Sequence, residues 1–438
     1  MTCSRICSPR TTKGIAMATD RDPYAGNVLV RGLGPIPTDR ELIGSLARLP
    51  PPPGDLTDVP RHVRTYMLMR VRDLHLPTLA ERQLARTLDV FVRESYRRRD
   101  PLLSGTWRQL YGEVDVASPL LHGPLGAAVE GHSGVGKTVA CLNCLRRLPQ
   151  SIVHEDFPRL HGGLVQVVWQ SVEVPPSGKA SDLARQLMDQ LDTTTGGDRF
   201  AKWRAKDSIR DSFQALSEWK QVASSHFLGV LHLDEIQNFF QFLSLKQRRS
   251  RKGGSESPEL SIVEDRCLRW VLSLLNTGSF ALAFSGTPDG MAALSRRLST
   301  LSRISSMGYH SFDPFSDPAE RTFRETFLDQ LGRYQFVKHK LPVDDRLAEL
   351  IVELTGGIQR LIVALWVAAH RVAFERKDDD LRIDDFTKAA STLLAPLAPA
   401  VAALRSGDAR LMARYEDLAV RDTAFWSRFW GDRGTGVV

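Results

Sequence analysis

Residues Leu125 to Leu142, "LGAAVEGHSGVGKTVACL", restrict the fold more than any other stretch of this chain. An apolar run leads into "GHSGVGKT", and a helical pattern follows. The octet fits G-x-x-x-x-G-K-[ST] in a strand–loop–helix context. Gly131, Gly134 and Gly136, with Ser133 between them, let the backbone curl so that its N–H groups face a phosphate chain beside a helix N-terminus. Lys137 is then placed to reach the β and γ phosphates, and the Thr138 hydroxyl to ligate Mg²⁺. The stretch therefore predicts an α/β unit that binds ATP with Mg²⁺.

Such a loop needs a carboxylate partner, and "LGVLHLDEIQNFF" (Leu228 to Phe240) supplies one. An apolar strand ending in Asp234 and Glu235 puts two carboxylates at the sheet edge where the glycine loop lies. Asp234 is expected to hold the metal and Glu235 to polarise an attacking water. After the next apolar strand comes "FSGTPDG", whose Thr287, with Ser285 as the alternative, is expected to orient that water. "SRRLSTLSRISSM" follows, and Arg303 is expected to project toward a neighbouring subunit's nucleotide, with Arg296 and Arg297 as alternates. "TGGIQRLIVAL" (Thr355 to Leu365) carries Arg360 near the start of a helix, where it could touch the γ-phosphate.

The surrounding chain alternates strands and helices. Leu164 to Val174, Phe227 to Glu235, Phe280 to Thr287 and Tyr309 to Phe312 join the run before the loop as five expected strands. A parallel five-stranded sheet covered on both faces is the solution. The expected units are a disordered tail over 1–22, with Met1 or Met17 as the start, and a helical N-terminal extension with a proline-rich linker over 23–112. An α/β core over 113–316, a helical lid over 317–395 and a C-terminal tail over 396–438 complete the chain. In the extension, "TDRE" (Thr38 to Glu41) fits a capping box. Leu79, Leu84, Leu88, Phe91 and Val92 share one helical face, and Arg97 to Arg99 read as solvated charge at its end.

Composition narrows the class. The 58 Lys and Arg residues against 51 Asp and Glu give a net charge of +7, a mild lean toward acidic partners. Five cysteines in 438 residues do not make a disulfide framework, and Cys141 and Cys144 read as small apolar residues on one helix face. No apolar run approaches the roughly 20 residues of a membrane span, and the first residues lack a signal-peptide core. A cytoplasmic protein with no membrane partner is expected.

The series of nucleotide loop, Asp-Glu strand, polar strand end, "SR" before the fifth strand and "GGIQR" in a helical lid resembles an AAA+ ATPase, over about Leu120 to Ala395. Within that superfamily "LHLDEIQNFF", "FALAFSGTPDG" and "VVWQSVEVPPSGKASDLARQLMDQL" look most like the TnsC/TniB group of transposition regulators. The resemblance implies an AAA+ P-loop core with a helical lid and hydrolysis at subunit interfaces. It also implies assembly on target DNA as a ring or helical filament that bridges a target-selection protein to a transposase and is dismantled by hydrolysis. Expected DNA-binding residues, tracking phosphates without reading sequence, are Lys179, Lys202, Arg204 and Lys206. The basic insert "KQRRSRKGGSESPE" (246–259) and the aromatic tail segment "TAFWSRFWGDRG" match no element of that pattern. The alternatives are a nucleotide-switched signalling or defence ATPase without DNA binding, and an origin-recognition or helicase-loader ATPase. The first would be expected to carry a fused sensor or effector domain and the second a C-terminal winged helix, and neither is expected from this sequence.

Overall fold

The computed structural model describes residues 22–111, 123–205, 211–242, 260–277, 280–295 and 298–407. The basic insert, Lys206, Arg296, Arg297 and the aromatic tail segment lie outside the described residues.

Five parallel strands form the central sheet: β1 (Gly126–Gly131), β2 (Trp169–Glu173), β3 (Val230–Asp234), β4 (Ala281–Gly286) and β5 (Gly308–Phe312). Their spatial order is β2-β3-β4-β1-β5. Every residue of β3 and β4 is buried, as a parallel sheet with both faces covered requires. Alternate residues feed two cores. Leu231, Leu233, Leu282 and Phe284 pack with helices α3 (Ala180–Thr195) and α4 (Ser212–Ser225). Val230, Ala281, Ala283, Ala127 and Val129 pack on the other face with α1 (Leu79–Arg97) and α2 (Lys137–Arg146).

The run Leu164 to Val174, expected as one strand, is two. Leu164–Val167 pairs antiparallel with Ser151–His154 in a separate ribbon, and only Trp169–Glu173 enters the sheet. At the junction the Val168 N–H turns to the Gln150 carbonyl. An unbroken apolar run carries no mark of a change of partner. A second ribbon, Phe240–Phe242 with Leu260–Ile262, flanks the insert.

The N-terminal extension is built into both halves of the molecule. Thr38 and Glu41 form the expected capping box. On α1, Leu84, Leu88, Phe91 and Val92 are buried against the sheet, whereas Leu79 is exposed because it directly follows the N-cap Thr78. Arg97 pairs with Glu94 at the surface, but Arg99 is buried and donates to the Leu228 carbonyl at 2.7 Å. Its burial departs from the expectation of solvated charge.

Upstream of α1, the chain straps the lid. Leu68 and Val71 sit in the lid core, and buried Arg64 pairs with Asp379 at 2.5 Å. The lid contains α5 (Asp345–Thr355), α6 (Gln359–Phe374), α7 (Ile383–Ser391) and α8 (Ala398–Ser406). Helix therefore continues past Ala395: Pro399 lies in the first turn of α8, where a missing N–H costs nothing. Among the described residues no single helix is long and apolar enough to cross a membrane.

Candidate nucleotide site

The glycine loop lies where β1 ends and α2 begins. Gly134 and Gly136 have φ of 90° and 100°, conformations that side chains rarely adopt. At Gly131 a side chain would meet the Phe312 carbonyl oxygen of β5 at 2.4 Å, so this position is closed for packing reasons. Ser133 lines the cleft with Gly134 and Gly136.

Lys137 is buried, and its ammonium donates to the carbonyls of Gly131 (2.7 Å) and His132 (3.1 Å). Burial pushes its pKa down, while Glu235 and Asp234 act in the opposite direction. It makes no ion pair with a carboxylate among the described residues. A buried cation at a helix N-terminus, in no ion pair among the described residues, suits a phosphate chain.

The carboxylates arrive from β3. Thr138 donates to Asp234 Oδ2 at 2.6 Å, the Ser285 hydroxyl donates to Asp234 Oδ1, and the Glu235 backbone N–H reaches the same Oδ1 at 2.9 Å. Glu235 sits in the left-handed region (φ 54°) just past the end of β3, and it lines the cleft with the glycine loop. Burial raises the Glu235 pKa, and Asp234 adds to the rise. Glu173 at the end of β2 is raised by the same two causes, so three carboxylates crowd one sheet edge. That surplus of negative charge suits a divalent cation. Among the described residues no three His, Cys, Asp or Glu side chains could hold a metal by themselves. Thr138 and Asp234 would hold Mg²⁺ together with phosphate oxygens, the donor set this ion commonly takes. Bound there, the cation would neutralise charge developing on the phosphoryl oxygens.

Two polar residues were candidates at the end of β4, and the structure separates their contacts. Ser285 touches Asp234, whereas Thr287 caps a short helix, Pro288–Leu294, by accepting from Gly290 N–H. The Thr287 backbone N–H donates to Gln237 Oε1 at 3.2 Å, and Gln237 Nε2 donates to the Glu235 carboxylate. Gln237 is a site residue that sequence reading passed over, although "DEIQ" places it two positions after Glu235.

The cleft over the loop has a volume of about 440 Å³ and is closed from three sides. Loop residues and Glu235 form one wall. Phe327, Gln359, Arg360 and Val363 of the lid form the second, and Arg72, Leu74, His75 and Leu76 of the N-terminal strap form the third. The Arg360 guanidinium lies so near Gly134 that a side chain there would meet it at 3.0 Å. The strap's part was invisible in sequence, because Leu74 and Leu76 belong to no motif.

Arg303 is exposed on the helix Leu298–Ile304, does not line this cleft and has no side-chain partner among the described residues. Of the cations expected to touch DNA, Lys179 is exposed at the N-cap of α3. Lys202 pairs with Glu218 at 2.9 Å, and Arg204 pairs with Asp192 at 3.1 Å and with Asp198. Cys141 and Cys144 are buried free thiols whose pKa values burial pushes up, in keeping with small apolar residues.

Sheet order, glycine loop and carboxylate strand together make a P-loop fold of the AAA+ type with a helical lid. Residues 122–294 match the family model described as "AAA domain". No curated protein matches the chain. Among solved structures the chain is similar to the ORC2 protein of Aeropyrum pernix, solved in ADPNP–ADP complexes. The identity is 16%, the match covers 81% of this chain and 84% of that one, and the TM-score is 0.42.

Proposed function

We propose that this protein is an ATP- and Mg²⁺-dependent AAA+ ATPase that assembles on double-stranded DNA, as a ring or helical filament. In this reading it regulates DNA transposition, bridging a target-selection protein to a transposase, and hydrolysis dismantles the assembly. The observation that carries the assembly reading is the separation of Arg303 from the cleft. Lys137, Thr138, Asp234, Glu235 and Arg360 converge within one chain, while Arg303 stays exposed outside the cleft. A second subunit that brings Arg303 to the γ-phosphate makes hydrolysis depend on assembly. The transposition reading is supported by the likeness of "LHLDEIQNFF" and "FALAFSGTPDG" to the TnsC/TniB pattern.

Within the site, Lys137 and Arg360 neutralise phosphate charge, Thr138 and Asp234 hold the cation, and Glu235 orients and polarises water. Lys179 is the exposed candidate for phosphate contact with DNA; Lys202 and Arg204 would first have to leave their carboxylates. The reading is tested by fluorescence anisotropy of a labelled duplex of arbitrary sequence. Binding is expected with ATP and Mg²⁺, to be lost in EDTA, and to weaken with salt. Equal binding without nucleotide would contradict it.

A further inference from the structure

Asp234 stands at the end of a hydrogen-bond chain that begins on the edge strand β2. Ser171 Oγ lies 2.8 Å from His232 Nδ1, His232 Nε2 lies 2.8 Å from Ser285 Oγ, and Ser285 bonds to Asp234 Oδ1. The strands hold these residues in place: Ser171 is the register partner of His232, and His232 and Asp234 are two apart on one face of β3. His232 and Ser285 are fully buried.

The chain has a direction. An ionised carboxylate only accepts, so the single Ser285 hydroxyl proton is spent on Asp234. Ser285 must then accept from His232, which puts the imidazole proton on Nε2. Nδ1 is left to accept from the Ser171 hydroxyl. With Ser285 and the Glu235 N–H on Oδ1, Oδ2 is left to Thr138. A Leu or Val would fill the space of His232, between Leu231 and Leu233 of β3, without needing polar partners.

We propose that His232 is a positioning residue for the cation site: it aims the Ser285 hydroxyl at Asp234 and so fixes the carboxylate that meets Thr138. The inference rests on Asp234 holding Mg²⁺ with bound ATP. The full chain and its His232→Leu, His232→Gln, Ser171→Ala and Asp234→Asn variants are compared by binding of a fluorescent ATP analogue, titrated with Mg²⁺ and repeated in EDTA. His232→Leu should raise the Mg²⁺ midpoint about tenfold, the order expected for one hydrogen bond to a charged group, with binding in EDTA unchanged. His232→Gln, which keeps a donor toward Ser285, should restore it to within about threefold. Ser171→Ala should fall between them, and it keeps the test open should His232→Leu fail to fold. A wild-type midpoint in both His232→Leu and Ser171→Ala, or a His232→Gln variant as impaired as His232→Leu, would overturn the proposal. An Mg²⁺ response unchanged by Asp234→Asn would instead sink the cation reading of Asp234 itself.

Discussion

The Gln237 side-chain amide donates to the Glu235 carboxylate, and its carbonyl oxygen accepts from the Thr287 backbone N–H. One side chain thereby ties the end of β3 to the loop after β4. Removing it leaves Glu235 held by its strained backbone alone. Gln237→Ala should lower ATP turnover by about tenfold, as for loss of a hydrogen bond to a charged group, with nucleotide binding within about twofold of wild type. Equal loss of binding and turnover would mean that Gln237 only shapes the cleft.

Lys137 is held by two loop carbonyls and makes no ion pair with a carboxylate among the described residues. Its ammonium is therefore free of any competing ion pair when phosphate arrives. Lys137→Ala should weaken nucleotide binding on the order of 10–100-fold, the range for charge-assisted contacts. Binding of a fluorescent ATP analogue reads this directly. A variant that binds like wild type would remove the loop from the site.

Complementation tests the role of Arg303. Arg303→Ala should bind ATP as wild type but turn it over on the order of 10³-fold more slowly, in line with arginines supplied in trans. Mixing it with Lys137→Ala should restore part of the turnover, since intact loops of one variant meet intact arginines of the other. No rescue at any ratio would assign the arginine elsewhere.

Acid should loosen the strap from the lid. The hydrogen bonds from Arg64 hold the Asp379 pKa below its ordinary value. A depressed carboxylate contributes stability that is full above the unfolded pKa, about 3.9, and disappears as pH falls through the lower folded value. Asp379 also has a φ of 56°, which Asn tolerates, so Asp379→Asn removes the charge without adding backbone strain. The wild type should melt higher than Asp379→Asn at neutral pH, and the gap should close below about pH 4. A gap independent of pH would show that the ion pair is not its source.

The nucleotide loop, the Asp-Glu strand and the five-stranded sheet were legible because each follows a local rule: a glycine spacing, a strand ending in carboxylates, a strand–helix alternation. What escaped was non-local. Leu74 and Leu76 line the cleft only because the strap crosses between core and lid, and no spacing announces that path. Thr287 is the expected residue and Ser285 its alternative, and a string of letters does not show which one touches Asp234. Pleat and cap separate them, since Ser285 shares the sheet face of Asp234 and Thr287 has already left the strand. His232 is one polar residue in an apolar run, and only the strand register sets it beside Ser171.

ATP-dependent assembly on DNA is the central claim, and electron microscopy of the Glu235→Gln variant with duplex DNA, ATP and Mg²⁺ tests it most directly. The substitution keeps the side chain's shape while removing the carboxylate proposed to polarise water, so nucleotide should stay bound and assembly persist. The account predicts rings or filaments on DNA that outlast those of the wild type and are absent when Lys137→Ala is added. Monomeric particles off the DNA under the same conditions would contradict it.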